Sequence, residues 1–167
     1  MNISEAKEMI LSAVENNLEI WADLGCGVGL FTLALAEILK DGSSVYAVDK
    51  SVQSFPAKHS EVRLFFKEGD FYESLELPLL DGILMANSFH FIKNKKQLIR
   101  HLEAYFKNTK KWIIVEYDNS VANQWEPYPI PFEELKLLFI EMGYSNIEKI
   151  GERKSKFGGM MYAAKIS

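Results

Sequence analysis

The sequence predicts an α/β fold: a mostly parallel, doubly wound sheet of seven strands that ends in an antiparallel hairpin. Three observations carry this. Short apolar runs alternate with stretches of helical periodicity from residue 20 to residue 142. A glycine-rich segment stands where the first such run gives way to a helix. The tail then holds two strand-like segments with no helix between them, so they pair antiparallel.

Residues 4–18 form the first helix, with Met9, Ile10, Ala13 and Val14 at i, i+3 and i+4 spacings and Glu5 at the positive end of its dipole. Ile20 to Leu24 is a buried strand that stops at Gly25. Leu30 to Lys40 is apolar on nearly every face, so this helix is covered on most sides, and Asp41-Gly42 ends it. Val45 to Asp49 is the second strand. The stretch 50–61 contains Pro56 and has weak periodicity, so any helix there is short. Val62 to Phe66 and Leu80 to Asn87 are the third and fourth strands, and Leu98, Ile99, Leu102, Tyr105 and Phe106 line a helix over about 94–107. Trp112 to Tyr117 is the fifth strand. A loop over 118–130 leads to a helix with Pro131 near its first turn and Gly143 just past its end. Asn146 to Lys154 and Met160 to Ile166 are the last two strands, joined by a turn around Lys156 to Gly159.

At 167 residues the chain is expected to form one domain spanning 1–167, with the helix of residues 1–18 as a candidate lid. Apolar residues make up 48%, charged residues 25% and aromatic residues 13%, a composition that excludes disorder and low complexity. The single cysteine, Cys26, excludes a disulfide framework and a cysteine-rich zinc site. A net charge of −4 argues against a nucleic-acid partner. The first residues lack the features of a signal peptide and no apolar run reaches membrane-spanning length, so a cytoplasmic protein without a membrane span is expected.

The strongest motif is Asp23-Leu24-Gly25-Cys26-Gly27-Val28-Gly29 at the first strand–helix junction. Glycines there permit positive φ and let a ligand approach the backbone. A nicotinamide dinucleotide site wants its third glycine at position 30, which is Leu30. The spacing Asp-x-Gly-x-Gly-x-Gly instead resembles the first motif of the Rossmann-like class I S-adenosylmethionine-dependent methyltransferases. An anion suits a ligand that carries an ammonium and a sulfonium, whereas beside a pyrophosphate it would repel.

Further along the chain the resemblance continues. Asp49 ends the second strand, where a carboxylate can accept both ribose hydroxyls, and Lys50 and Ser51 follow it toward the ribose and adenine. Gly69-Asp70-Phe71 resembles the family's acidic-aromatic step, which implies that Asp70 takes the adenine amino group and the Phe71 amide a ring nitrogen. Asp81 to Phe91 resembles its fourth-strand motif, which implies that Asn87 and Ser88 face the methionine part of the cofactor. The type it most resembles methylates small molecules, as in ubiquinone and menaquinone biosynthesis. The implied cofactor is S-adenosyl-L-methionine, with S-adenosyl-L-homocysteine as product. The implied partner is a small-molecule methyl acceptor. A cofactor-binding regulatory or partner subunit without methyl transfer of its own is the alternative.

In doubly wound sheets ligands bind beyond the carboxyl ends of the strands. The N-terminal helix, Asn87 to Lys93 and Glu116 to Pro131 converge there and supply Met9, His90, Tyr117, Trp125 and Tyr128 as substrate-pocket candidates. His90 is the candidate general base, although it suits a helix-start or packing role equally well. Trp125 and Tyr128 either close over an apolar acceptor or pack the loop. No metal is expected: Asp118-Asn119 follows the fifth strand, but the fourth ends in Asn87, and one acid with two amides makes a poor hard-cation site.

Overall fold

The computed structural model describes residues 1–54, 56–155 and 159–167. Its elements run in the order α1 (Ile3–Ile10), β1 (Ile20–Leu24), α2 (Leu30–Ala36), β2 (Ser44–Asp49), β3 (Lys58–His59), β4 (Val62–Glu68), β5 (Leu80–Ala86), α3 (Lys95–Leu102), β6 (Phe106–Tyr117), α4 (Phe132–Glu141), β7 (Ile147–Lys154) and β8 (Met160–Ile166). Short 3₁₀ turns sit at Phe89–Phe91 and Glu103–Tyr105. The strands form one sheet in the order β3-β4-β2-β1-β5-β6-β8-β7. The five central strands, β4 to β6 in that order, pair in parallel, while β8, β7 and β3 run antiparallel to their neighbours.

Strand order reverses between β1 and β5. From β1 the chain moves outward to β2 and β4, then returns to β5 on the other side and moves outward to β6. That reversal opens a crevice at the carboxyl ends of β1 and β5, the place where such sheets take ligands.

Alternation along the central strands divides the core into two faces. Ala22, Ile83, Trp112 and Ile114 pack with α3 and α4 through Leu98, Leu102, Leu135 and Phe139. Trp21, Val45, Leu84 and Ile113 pack with α1 and α2 through Ile10, Phe31 and Leu35. Gly82, opposite Trp21 in the register, leaves room for the indole: a Cβ there would lie 2.4 Å from it.

The structure corrects the expected fold in several places. The sheet has eight strands rather than seven, because the two-residue β3 adds an edge in the stretch 50–61, where a short helix was allowed. The first helix ends at Ile10 rather than near residue 18; Ala13 stays buried, but in a turn. The second helix also ends early, at Ala36. β6 starts at Phe106, six residues before its apolar run. Leu80 pairs with Phe106 and Gly82 with Lys111, so an irregularity absorbs the polar residues between. The turn expected around Lys156 to Gly159 lies, apart from Gly159, outside the described residues. Among the described residues no helix is long and apolar enough to cross a membrane.

Candidate active site

The loop after β1 is shaped by its glycines. Gly25, Gly27 and Gly29 have φ of +77°, +50° and +82°, a region that costs other residues roughly 1–2 kcal/mol. At Gly25 the need is also steric, since a Cβ would lie 2.5 Å from the Cβ of Ser88. At Gly27 a Cβ would meet nothing within 4 Å, so this stretch of backbone borders open space. The amides of Gly25 and Cys26 both donate to the Val48 carbonyl, at 2.8 and 3.0 Å, which ties the loop to the end of β2.

Asp49 closes the loop from the other side. Its Oδ2 accepts the Gly27 amide at 2.9 Å, and its Oδ1 accepts the Ser51 amide at 2.9 Å. Each oxygen keeps a further lone pair. Lys50 pairs with Asp70 at 2.8 Å. Burial raises the Asp70 carboxyl, but the Lys50 ammonium and the Tyr72 amide outweigh it and hold Asp70 below its usual range. Gly69 donates its amide to the Asp49 carbonyl at 3.0 Å, and Phe71 is buried 3.5 Å from the Cβ position of Gly25. Asp49, Lys50, Ser51, Gly69, Asp70 and Phe71 thus form one wall with the glycine loop.

Asp23 is the unusual group. It is 1% exposed; Oδ2 accepts the Thr32 hydroxyl at 2.6 Å, while Oδ1 is buried without a hydrogen-bond partner. Burial is the main cause that pushes its pKa up to about 7; the Thr32 bond opposes this and the Asp49 charge adds to it. Asn87 mirrors it at the end of β5. Its Oδ1 is also buried without a partner, and its backbone sits at φ +53°. Buried acceptors without donors are rare because each costs its desolvation. Here two of them stand at the ends of neighbouring strands.

Two expected contacts are corrected. The Ser88 hydroxyl is buried and donates to the Leu24 carbonyl at 2.7 Å, so it fastens β5 to β1 instead of facing the cofactor. Met9 is 3% exposed in the core between α1 and the sheet, with its backbone against Gly151. The N-terminal segment reaches the site through Met1, which lines a cavity of about 210 Å³ with Asn87, Tyr117 and Met161. The helix itself is held by a Lys7–Glu37 ion pair at 3.3 Å and by Arg153 on Glu5. Cys26 carries no reactive thiolate: burial, with Asp23 and Asp49 nearby, pushes its thiol well up.

A larger cavity of about 800 Å³ opens beside Asn87, walled by His90, Phe91, Tyr117 and Trp125. Asn87 and Tyr117 border both cavities, so the two adjoin. Tyr128 stands just outside, its amide donating to the His90 carbonyl at 2.9 Å. Beneath the cavity floor Glu116, 1% exposed, meets His90 Nδ1 at 2.6 Å. Glu116 and Thr32 were not singled out from sequence. The available signal was their isolation, since Glu116 is the one charge in the run Trp112 to Tyr117. Asp118 is spent on structure, accepting the Phe132 amide at 2.9 Å and pairing with Lys149 at 3.3 Å. Among the described residues no three His, Cys, Asp or Glu side chains group to hold a metal.

Residues 22–113 match the methyltransferase domain family. No curated protein matches the sequence. Among solved structures, the chain is similar to an S-adenosylmethionine-dependent methyltransferase from Aquifex aeolicus, with a TM-score of 0.68 at 15% identity over 98% of this chain and 90% of that one. It is similar to the 1,6-didemethyltoxoflavin N1-methyltransferase of Burkholderia thailandensis, solved with 1,6-didemethyltoxoflavin and S-adenosylhomocysteine bound. Here the TM-score is 0.72 at 16% identity, over 98% of this chain and 76% of that one. An arsenic(III) methyltransferase from Chlamydomonas reinhardtii gives a TM-score of 0.63 at 12% identity, over 92% and 65% of the two chains.

Proposed function

Since the chain belongs to the methyltransferase domain family, we propose that it passes a methyl group from S-adenosylmethionine to a small-molecule acceptor held over the carboxyl ends of its strands. When bound, S-adenosylmethionine supplies an electrophilic methyl carbon on sulfonium, which a nucleophile takes in one displacement. The observation that carries this reading is the pair of unpartnered buried acceptors, Asp23 Oδ1 and Asn87 Oδ1. They fit the ammonium of the methionine moiety, which brings both hydrogen-bond donors and a positive charge. Asp49 keeps lone pairs for the ribose hydroxyls, and the open space over Gly27 lets the ligand lie on the backbone. Lys50 and Ser51 would border the ribose, and Asp70 and Phe71 the adenine.

The protein's own contribution is alignment and desolvation. Holding nucleophile, methyl carbon and leaving sulfur in line removes roughly 7–11 kcal/mol of barrier at best. The mostly apolar cavity beside Asn87 offers a small acceptor room against that line. Residues 1–167 act as a single cytoplasmic unit in this reading, with Met1, Tyr117 and Trp125 among the side chains that select the acceptor.

The test is calorimetric titration with S-adenosylmethionine, S-adenosylhomocysteine and NAD side by side. Binding of the first two without the third is the expected result. A folded protein that binds neither sulfur compound overturns the reading.

A further inference from the structure

Beneath the 800 Å³ cavity lies a buried carboxylate–imidazole pair that the cofactor site does not use. Glu116 is fixed by three hydrogen bonds. Its Oε1 accepts the amides of Phe89 at 2.8 Å and His90 at 3.1 Å, and its Oε2 meets His90 Nδ1 at 2.6 Å. An ionised carboxylate only accepts, so Nδ1 carries a proton, and in the neutral ring Nε2 then keeps its lone pair. Among the described residues nothing hydrogen-bonds Nε2, and His90 lines the cavity. The backbone behind the ring is clamped as well. The His90 carbonyl accepts the Tyr128 amide, and Lys95 Nζ donates to the carbonyls of Ile92 at 2.8 Å and Tyr128 at 2.7 Å. The arrangement holds His90 as an oriented imidazole on the wall of a mostly apolar, open cleft.

We propose that His90 is a catalytic base, positioned by Glu116, and that the acceptor is a flat aromatic molecule whose nucleophile is a protic O–H or N–H. This rests on the methyltransferase reading above. The walls formed by Phe91, Tyr117 and Trp125 match a ring system, and a protic nucleophile is what a bare Nε2 can serve. In the step, the acceptor O–H or N–H bond breaks and its proton passes to Nε2. The freed electron pair bonds to the methyl carbon, and the carbon–sulfur bond breaks with its pair left on sulfur. The imidazolium then returns the proton to solvent. The titratable groups around the pair are Tyr117 from β6 and Glu126 from the 118–130 loop, which share the cavity wall with His90, and Lys95 from α3 and Tyr162 from β8, whose charges interact with Glu116 and with Glu134 from α4.

The experiment compares two reactions. Formation of S-adenosylmethionine from S-adenosylhomocysteine and methyl iodide uses a sulfur nucleophile and needs no base. Methylation of 2-naphthol or 8-hydroxyquinoline needs one. His90→Gln should slow the second by about 10²–10⁴-fold more than the first. Glu116→Gln should slow the second reaction alone, with partial rescue by Glu116→Asp. In ¹⁵N-histidine spectra wild-type His90 should be the Nδ1-protonated tautomer, and Glu116→Gln should shift it. An Nε2-protonated wild-type ring overturns the proposal whether or not the variants fold. So does an equal fall in both reactions, no fall in either, or a wild-type enzyme that makes S-adenosylmethionine yet methylates neither protic probe. A wild-type protein that neither binds S-adenosylhomocysteine nor turns over methyl iodide removes the methyltransferase reading with it.

Discussion

Asp23→Asn separates what the fold wants at the end of β1 from what the ligand wants. Raising a carboxyl from its ordinary 3.8 to about 7 costs the ionised form about 4 kcal/mol, a large share of a domain's stability. The sign follows from linkage. The folded-state pKa lies above the unfolded one, so the native state binds more protons between about pH 4 and pH 7. The contribution is therefore full below about pH 4 and is lost as pH rises through about 7. A carboxamide does not ionise, so the variant should lose that slope. It should fall about 1–3 kcal/mol below the wild type near pH 4, for the amide donor left without a partner, and exceed it at pH 8 by up to about 4 kcal/mol less that same penalty. Binding runs the other way. An ammonium beside Oδ1 favours the ionised carboxyl, so wild-type affinity for S-adenosylmethionine should rise about ninefold from pH 5 to 6 and about fivefold from pH 6 to 7. At pH 6.5 binding should release about three-quarters of a proton. Urea melts at pH 5 and 8 measure the first effect. Calorimetry at pH 6.5 in two buffers of different ionisation heat measures the second. An unchanged stability slope in the variant, or a binding heat independent of buffer, refutes the reasoning.

Gly27→Val places a β-branched residue at φ +50° and aims its side chain into open space. It should cost only about 1–2 kcal/mol of stability, read as a small drop in Tm, yet abolish S-adenosylhomocysteine binding. Gly82→Ala drives a methyl group to 2.4 Å from the indole of Trp21, which is fully buried and held by Glu19 at 2.8 Å. Thermal melts should fall by about 6–12 °C, the equivalent of about 3 kcal/mol, while ligand affinity in the folded fraction stays unchanged. Trp125 is 74% exposed, whereas Trp21 and Trp112 are fully buried. Docking of 2-naphthol should therefore quench only the red-edge emission, and Trp125→Ala should remove that response while leaving the buried emission intact.

The glycine-loop half of the candidate site was legible because it joins consecutive, directly paired parallel strands. The loop's shape is set by its own glycines, and Asp49 reaches it from the end of the adjacent strand, a relation that strand alternation already implies. The acceptor half was legible in place but not in chemistry. His90 stands out as a residue type, but the partner that turns its ring lies 26 positions away on another strand. Such pairings are decided by which strands become neighbours and in what register, and no spacing rule encodes that. Met9 failed for the same reason in reverse: helical periodicity marks a buried face without saying against which part of the sheet it is buried. β3, an edge strand, and the polar early half of β6 were hidden because their pairing rests on backbone hydrogen bonds and no apolar pattern.

The orphaned acceptors narrow the ligand further than the fold does. A neutral donor could satisfy the hydrogen-bonding need of Asn87 Oδ1 but would leave the Asp23 carboxyl, with Asp49 nearby, disfavoured in its ionised form. A phosphate would worsen it, since it brings a third negative charge and no donors. Only a cation that also donates hydrogen bonds offsets both penalties at once. Under the proposed reading, the same two residues that weaken the unliganded fold discriminate an amino-acid cofactor from a dinucleotide. They do so at the point where the glycine spacing alone separates the two by a single position.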